Sequence, residues 1–355
     1  MQTMTSESDS QNTRETKPYP PSFLDRFMRF IQHLPIPYWL TYLILFILQS
    51  AIFHGLAWID GWLPAFSFSP ILLLFPLWLW GPMAIMTYLN LTSEAALSGF
   101  SPLLDVGEDR LKRLKYEFTT MPNRGVIFSS VFWIIAYVFF MYLTIDVLAR
   151  EYGFGNIFGT IVIIEGLISY SFGGAIYYHS IRQLWMVNKT VKMVRQFNLF
   201  QLDPVYSLAR LTSRTGISWI FMLVFTLLLF PLALVKGVVL SVLILQVLLA
   251  LAAFVLPLQL VNQSLVSEKR RLLSELNQRI ESILDKMHQS IDDNQPSELD
   301  ALNAYLTTLN AERDILKGIP TWPWSSGTLT GFLSAILLPI LLFLLQIVIQ
   351  NWLGE

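Results

Sequence analysis

The chain has 355 residues, of which 54% are hydrophobic and only 14% charged, with a formal net charge of -1. Soluble domains carry roughly 25% charged residues, so this composition, with a mean hydropathy of +0.52 and several long apolar runs, points to a multi-spanning helical membrane protein. There is no cysteine, which excludes disulfides, thiolate nucleophiles and cysteine-based metal sites.

Residues 1–20 are polar and lack the apolar stretch of a signal peptide; they read as a disordered cytosolic tail. In residues 21–36, Phe23, Phe27, Phe30, Ile31 and Leu34 recur at helical spacing, Ser22 and Asp25 make a capping-box start, and Pro35 and Pro37 end the segment. This predicts an amphipathic helix, lying on the membrane surface or packed on the rest of the protein.

Seven spans follow, at 38–58, 69–89, 126–149, 157–180, 217–235, 238–261 and 327–350. Each is close to the roughly 20 residues needed to cross about 30 Å of hydrocarbon. Only Lys236 and Gly237 separate the fifth from the sixth, which predicts a tight hairpin. The first six form a bundle over residues 37–262. Its loop 90–125 carries Leu111, Leu114 and Phe118 among basic residues, as a short amphipathic helix near the headgroups would. Its loop 181–215 prolongs the fourth span and adds a short helix at 205–212.

Charge sets the expected orientation. With the N-terminus inside, 22 of the 24 lysines and arginines fall on inner segments, and only Arg150 and Lys236 face outward. The positive-inside rule then places the N-terminus in the cytoplasm and the C-terminus outside, in a plasma or inner membrane. Topology and anionic lipid account for the basic loops, and nothing calls for nucleic acid.

The sixth span runs without a breaker into residues 263–318. Leu273, Ile280 and Met287 alternate with Leu276 and Ile283 at heptad spacing. Beyond Pro296, Leu299, Leu302, one of Tyr305 and Leu306, Leu309 and Leu316 repeat the pattern. This predicts a cytosolic antiparallel helical hairpin, whose arms zip on each other and offer a surface to a cytosolic protein partner or to a second copy of the chain. Residues 319–355 then re-enter the membrane. Trp322 and Trp324, beside Pro320 and Pro323, are expected as interfacial anchors. The fold class is therefore all-α and polytopic, with seven spans, the N-terminus inside and the hairpin between the sixth and seventh.

Ionisable residues inside spans are the default functional candidates. Glu165 lies about 12 Å into the fourth span, beside a stripe of Gly159, Gly166 and Gly173 that allows close helix packing. It is either a protonatable or cation-interacting group in a cavity or, with more weight, a carboxyl that ties helices together. Asp146 reads as an interfacial residue or a vestibule cation site. Gln246 and Gln346, with Gln49 and Gln259, are single amides in separate spans that serve interhelical hydrogen bonds or line a polar path. The histidines show no metal-site spacing, and there is no phosphate-binding loop, nucleophile elbow or zinc helix, so no cofactor or enzymatic reaction is expected.

The orientation is opposite to that of G-protein-coupled receptors. It is similar to that of insect-type chemoreceptor channels, in which the last spans of several subunits build a pore; the likeness is one of topology alone. Three functions follow as expectations: a membrane-embedded scaffold or sensor acting through the hairpin, an oligomeric ion channel with the sixth and seventh spans near the pore, and a small-solute or proton-coupled transporter using Glu165.

Overall fold

The computed structural model describes residues 17–152, 157–229, 237–292 and 296–353, and for some of these, Asp146 and Gln346 among them, only the backbone. The described residues form helices and no sheet. In chain order the helices are α1 (Phe23–Gln32), α2 (Tyr38–Ile59), α3 (Leu74–Phe100), α4 (Glu108–Thr119), α5 (Asn123–Tyr152), α6 (Ile157–Gly173), α7 (Ala175–Val191), α8 (Asp203–Leu229), α9 (Gly237–Asp292), α10 (Pro296–Gly318) and α11 (Ser326–Leu353).

Among the described residues, five helical stretches are long and apolar enough to cross a membrane: Tyr38–Ile59, Pro70–Leu103, Asn123–Leu143, Ile157–Val191 and Ile244–Asp292. Ser326–Leu338 is a shorter apolar helix. The fifth expected span begins within α8 and runs into residues 230–236, outside the described residues, where the expected Lys236 turn also falls.

Helix α3 stands at the centre, in contact with α2, α4, α6, α7 and α8. Its polar groups meet each neighbour that crosses beside it. Tyr42 of α2 lies 3.1 Å from the Thr87 hydroxyl; that hydroxyl already donates to the Met83 carbonyl, so the tyrosine is the donor. Ser169 of α6 donates to the Phe75 carbonyl at 3.0 Å. On α8, Thr226 accepts from the Trp78 indole at 3.1 Å and Ser207 donates to the Ala96 carbonyl at 2.9 Å. An apolar medium offers no competing partner for such groups, so each bond holds one helix to another.

Glycines set how closely α6 and α7 approach. A Cβ at position 173 would lie 2.1 Å from the Trp78 carbonyl oxygen, and one at 166 would lie 2.1 Å from the Tyr137 hydroxyl. Gly159 is buried in the same helix. Gly174 takes the turn between α6 and α7, where a Cβ would meet the Trp133 ring at 2.2 Å.

Several elements differ from the sequence reading. Helix α3 continues to Phe100 instead of stopping near 89, because Ala96, Leu97 and Phe100 form one side of a second apolar core with Leu208 and Leu211. The helix expected at 205–212 is the start of α8, which runs on to Leu229. Leu114 and Phe118 of α4 are buried in that second core and do not face headgroups. In α1 the residues turned inward are Leu24, Asp25, Met28 and Ile31, while Phe30 is 61% exposed. The helix is packed on the bundle, with Phe27 beside Trp80 and Phe23 edge-on to Phe172.

Beyond the apolar region α9 extends into a pair with α10. Ser290 beside Glu298 at one end, and Lys269 beside Lys317 at the other, make the two helices antiparallel. Leu276 and Leu316 are buried between them, and of the pair Tyr305 and Leu306 it is Leu306 that turns inward, Tyr305 being 65% exposed.

Gly173→Ala should destabilise the bundle by about 1–3 kcal/mol, because the colliding atom belongs to a backbone that cannot step aside. Gly331→Ala, with nothing within 4 Å of its Cβ, should be neutral or mildly stabilising. Thermal unfolding of the two variants in detergent checks the contrast.

Candidate functional site

Glu165 joins three helices. Its Oε1 accepts from Gln49 Nε2 of α2 and lies 3.3 Å from the Ser169 hydroxyl, one turn further along α6, whose proton is shared with the nearer Phe75 carbonyl. Gln49 Oε1 in turn accepts from the Trp80 indole of α3 at 2.5 Å. An indole N–H can only donate, so the glutamine oxygen must face Trp80 and its amide nitrogen must face the carboxyl. The direction of the whole chain, from Trp80 through Gln49 to Glu165, follows from that one group.

Among the described residues, Gln246 and Gln259 make no hydrogen bond to Glu165. Gln246 is buried on α9. The side chains of Asp146 and Gln346 lie outside the described residues. Gln259 is exposed. Gln49 is thus the described span glutamine that joins Glu165. No group of three or more His, Asp or Glu among the described residues could hold a metal ion.

A second polar centre forms where α1, α4 and the end of α7 meet. Ser22 caps α1 in a full capping box with Asp25. Asp25 Oδ2 accepts from the Ser22 amide at 3.1 Å, the Ser22 hydroxyl at 2.6 Å and the Met121 amide at 2.9 Å, which clips α1 to the 120–122 segment. Burial raises the Asp25 carboxyl above the usual range even against these bonds. Tyr19, placed in the disordered tail by composition, is held in position. It donates to the Thr120 carbonyl at 2.9 Å, its own carbonyl accepts from Tyr116 at 2.7 Å, and Arg182 bonds its hydroxyl and the Glu117 carbonyl.

Beside it Glu117 receives Lys189 at 2.6 Å and Arg113 at 3.1 Å. Burial alone would raise this carboxyl, but the two cationic donors outweigh it and hold the group below its ordinary value. The pair fastens α4 to the C-terminal end of α7.

Trp322 and Trp324 stack on each other with centroids 4.5 Å apart. Trp324 also stacks on Phe254 of α9 at 5.1 Å, and Phe254 on Phe332 of α11 at 4.1 Å. Trp324 is thus part of the protein's own packing, while Trp322 is 39% exposed. Sequence spacing did not show this ladder, nor the Trp80–Gln49 link, nor the ordering of Tyr19. Each depends on a partner more than 30 positions away, and no local period encodes such a partner.

No protein-family model, curated protein or solved structure matches the chain.

The Glu117 arrangement makes stability pH-dependent with a definite sign. A carboxyl with a lowered folded-state pKa contributes stability that is fully present above its unfolded value, near 4.5, and lost as pH falls through the folded one. Thermal unfolding in detergent should therefore drop below about pH 4.5. Glu117→Gln should remove that component of the drop, at a cost of about 1–2 kcal/mol at neutral pH.

Proposed function

We propose that the chain is a seven-span membrane-embedded sensor or scaffold with a cytoplasmic N-terminus, working through a helical hairpin on the inner side. The observation that carries this reading is the continuity of α9. Its 56 residues form one helix, about 84 Å long, so it both crosses the apolar layer and supplies the first arm of the hairpin.

The second arm is fixed to the first. Lys269 donates to the carbonyls of Lys317 and Ile319, both at 2.7 Å, placing a cation at the negative end of α10. The chain then passes through the Trp322–Trp324 stack onto Phe254 and enters α11. A displacement of the hairpin would therefore be passed to α11 through short, packed connections. Inner placement rests on the lysine and arginine distribution.

One observation supports an oligomeric ion channel as a second reading. Helix α11 packs on α8, with Phe332 buried, and leaves Leu333, Leu337, Leu341 and Leu345 exposed along a stripe that lipid or another copy would cover. The transporter reading draws less support, because Glu165 is engaged in hydrogen bonds between helices. We assign the protein no enzymatic reaction.

Replacing residues 274–309 with a short Gly/Ser linker tests the proposal. The bundle should still insert and unfold at a similar temperature. Co-purification of partner proteins from the native membrane, or self-association in mild detergent, should fall at least several-fold. If neither changes, the hairpin is not the working surface.

A further inference from the structure

The inner half of the bundle holds a polar trio whose hydrogen bonds can be oriented without ambiguity. Gln183 Nε2 of α7 lies 3.2 Å from the Phe118 carbonyl, 3.4 Å from the Leu89 carbonyl and 3.2 Å from Asn90 Oδ1. Carbonyl oxygens only accept, so the amide nitrogen of Gln183 must point at them and its oxygen must point away. The two N–H groups of Gln183 are shared among these acceptors, and Asn90 presents its oxygen because the reverse would set two amide nitrogens against each other at 3.2 Å. That same oxygen is 2.8 Å from His179 Nε2, which must carry the ring proton. Two acceptors are left over: His179 Nδ1 and Gln183 Oε1. Both are buried without a hydrogen-bond partner among the described residues, on side chains 2% and 1% exposed.

The two residues are one helical turn apart on the same face of α7. His179 lies about 33 Å and Gln183 about 39 Å along the α6–α7 rod from Ile157, close to the membrane boundary opposite its start. We propose that this seam between α3, α4 and α7 is a binding site for water, held by donation to His179 Nδ1 and Gln183 Oε1. The site wants donors and no charge. None of its three side chains is a carboxylate. Arg182 follows on the same helix and bonds the Glu117 carbonyl and the Tyr19 phenol, so a second cation here would sit beside one already in place. A water molecule has two O–H groups and satisfies two acceptors, as buried waters in proteins commonly do. A proton on Nδ1 instead would turn one unmet acceptor into an unmet donor. Such water would make α7's inward face exchangeable.

Nitrogen NMR on the full chain in lipid nanodiscs tests this, because the protein contains only four histidines. With 15N-histidine labelling, His33→Gln, His54→Gln and His288→Gln identify the His179 signals by difference, even if a His179 variant fails to fold. The expected result is the Nε2–H tautomer, with the Nδ1 resonance displaced upfield from a non-bonded ring nitrogen and magnetisation transfer from water to His179. An Nδ1–H tautomer, a non-bonded Nδ1 resonance, or no transfer from water would overturn the proposal. A shift that follows exchange of Na+ for K+ or ammonium would mean a bound cation and would overturn it too.

Discussion

Polar groups carried into an apolar layer must find their partners inside the protein, and in this chain α3 supplies most of them. Tyr42, Gln49, Ser169, His179, Gln183, Ser207 and Thr226 all hydrogen-bond to side chains or carbonyls of that one helix. Interhelical bonds of this kind contribute about 0.6–2 kcal/mol each, so none is decisive alone. Their value is directional. Each fixes the rotation and height of a neighbour against α3, which apolar contacts do poorly when lipid is equally apolar.

The rest of the structure extends that frame toward one side. The Asp25 clip and the Tyr19–Arg182 contacts hold α1 and α4 against the base of α7. Gln196 beside Glu268, at 3.1 Å, joins the segment after α7 to α9 below the bundle. From there the α9–α10 pair projects, and Lys269 with the tryptophan stack returns the chain to α11. Besides the Asp25 clip, two polar groups between the helices differ in character. The one at Glu165 is a tie between helices, whereas the one at Asn90, His179 and Gln183 has acceptors to spare.

The two periodic features of the sequence differ in how far they could be read. In the α9–α10 pair, Leu276, Leu306 and Leu316 of the expected pattern turn inward while Tyr305 is exposed, a choice that spacing alone left open. In α1 the same logic found Phe23, Phe27, Ile31 and Leu34, which pack on the bundle, but missed Leu24 and Met28 and included Phe30. Phe30 belongs to the apolar pattern but faces outward, because lipid accepts an aromatic ring as readily as the protein core does. One aromatic of an apolar stripe on such a helix therefore does not by itself mark the inward side. Glu165 could be picked out as an ionisable residue in a span, but Gln49 and Trp80 could not be paired with it, since the separation between them carries no signal. Composition sufficed for the all-helical, membrane-spanning class. The number of spans and their direction rest on the apolar runs and the placement of lysine and arginine.

That direction is the premise of the proposed function, and the absence of cysteine makes it directly measurable. Single cysteines at Ala65, between α2 and α3, and at Ser274, in the hairpin, can be probed with a membrane-impermeant maleimide on intact cells. The account predicts labelling of Ala65→Cys in intact cells and of Ser274→Cys only after permeabilisation. Labelling of Ser274→Cys from outside, with Ala65→Cys protected, would contradict it.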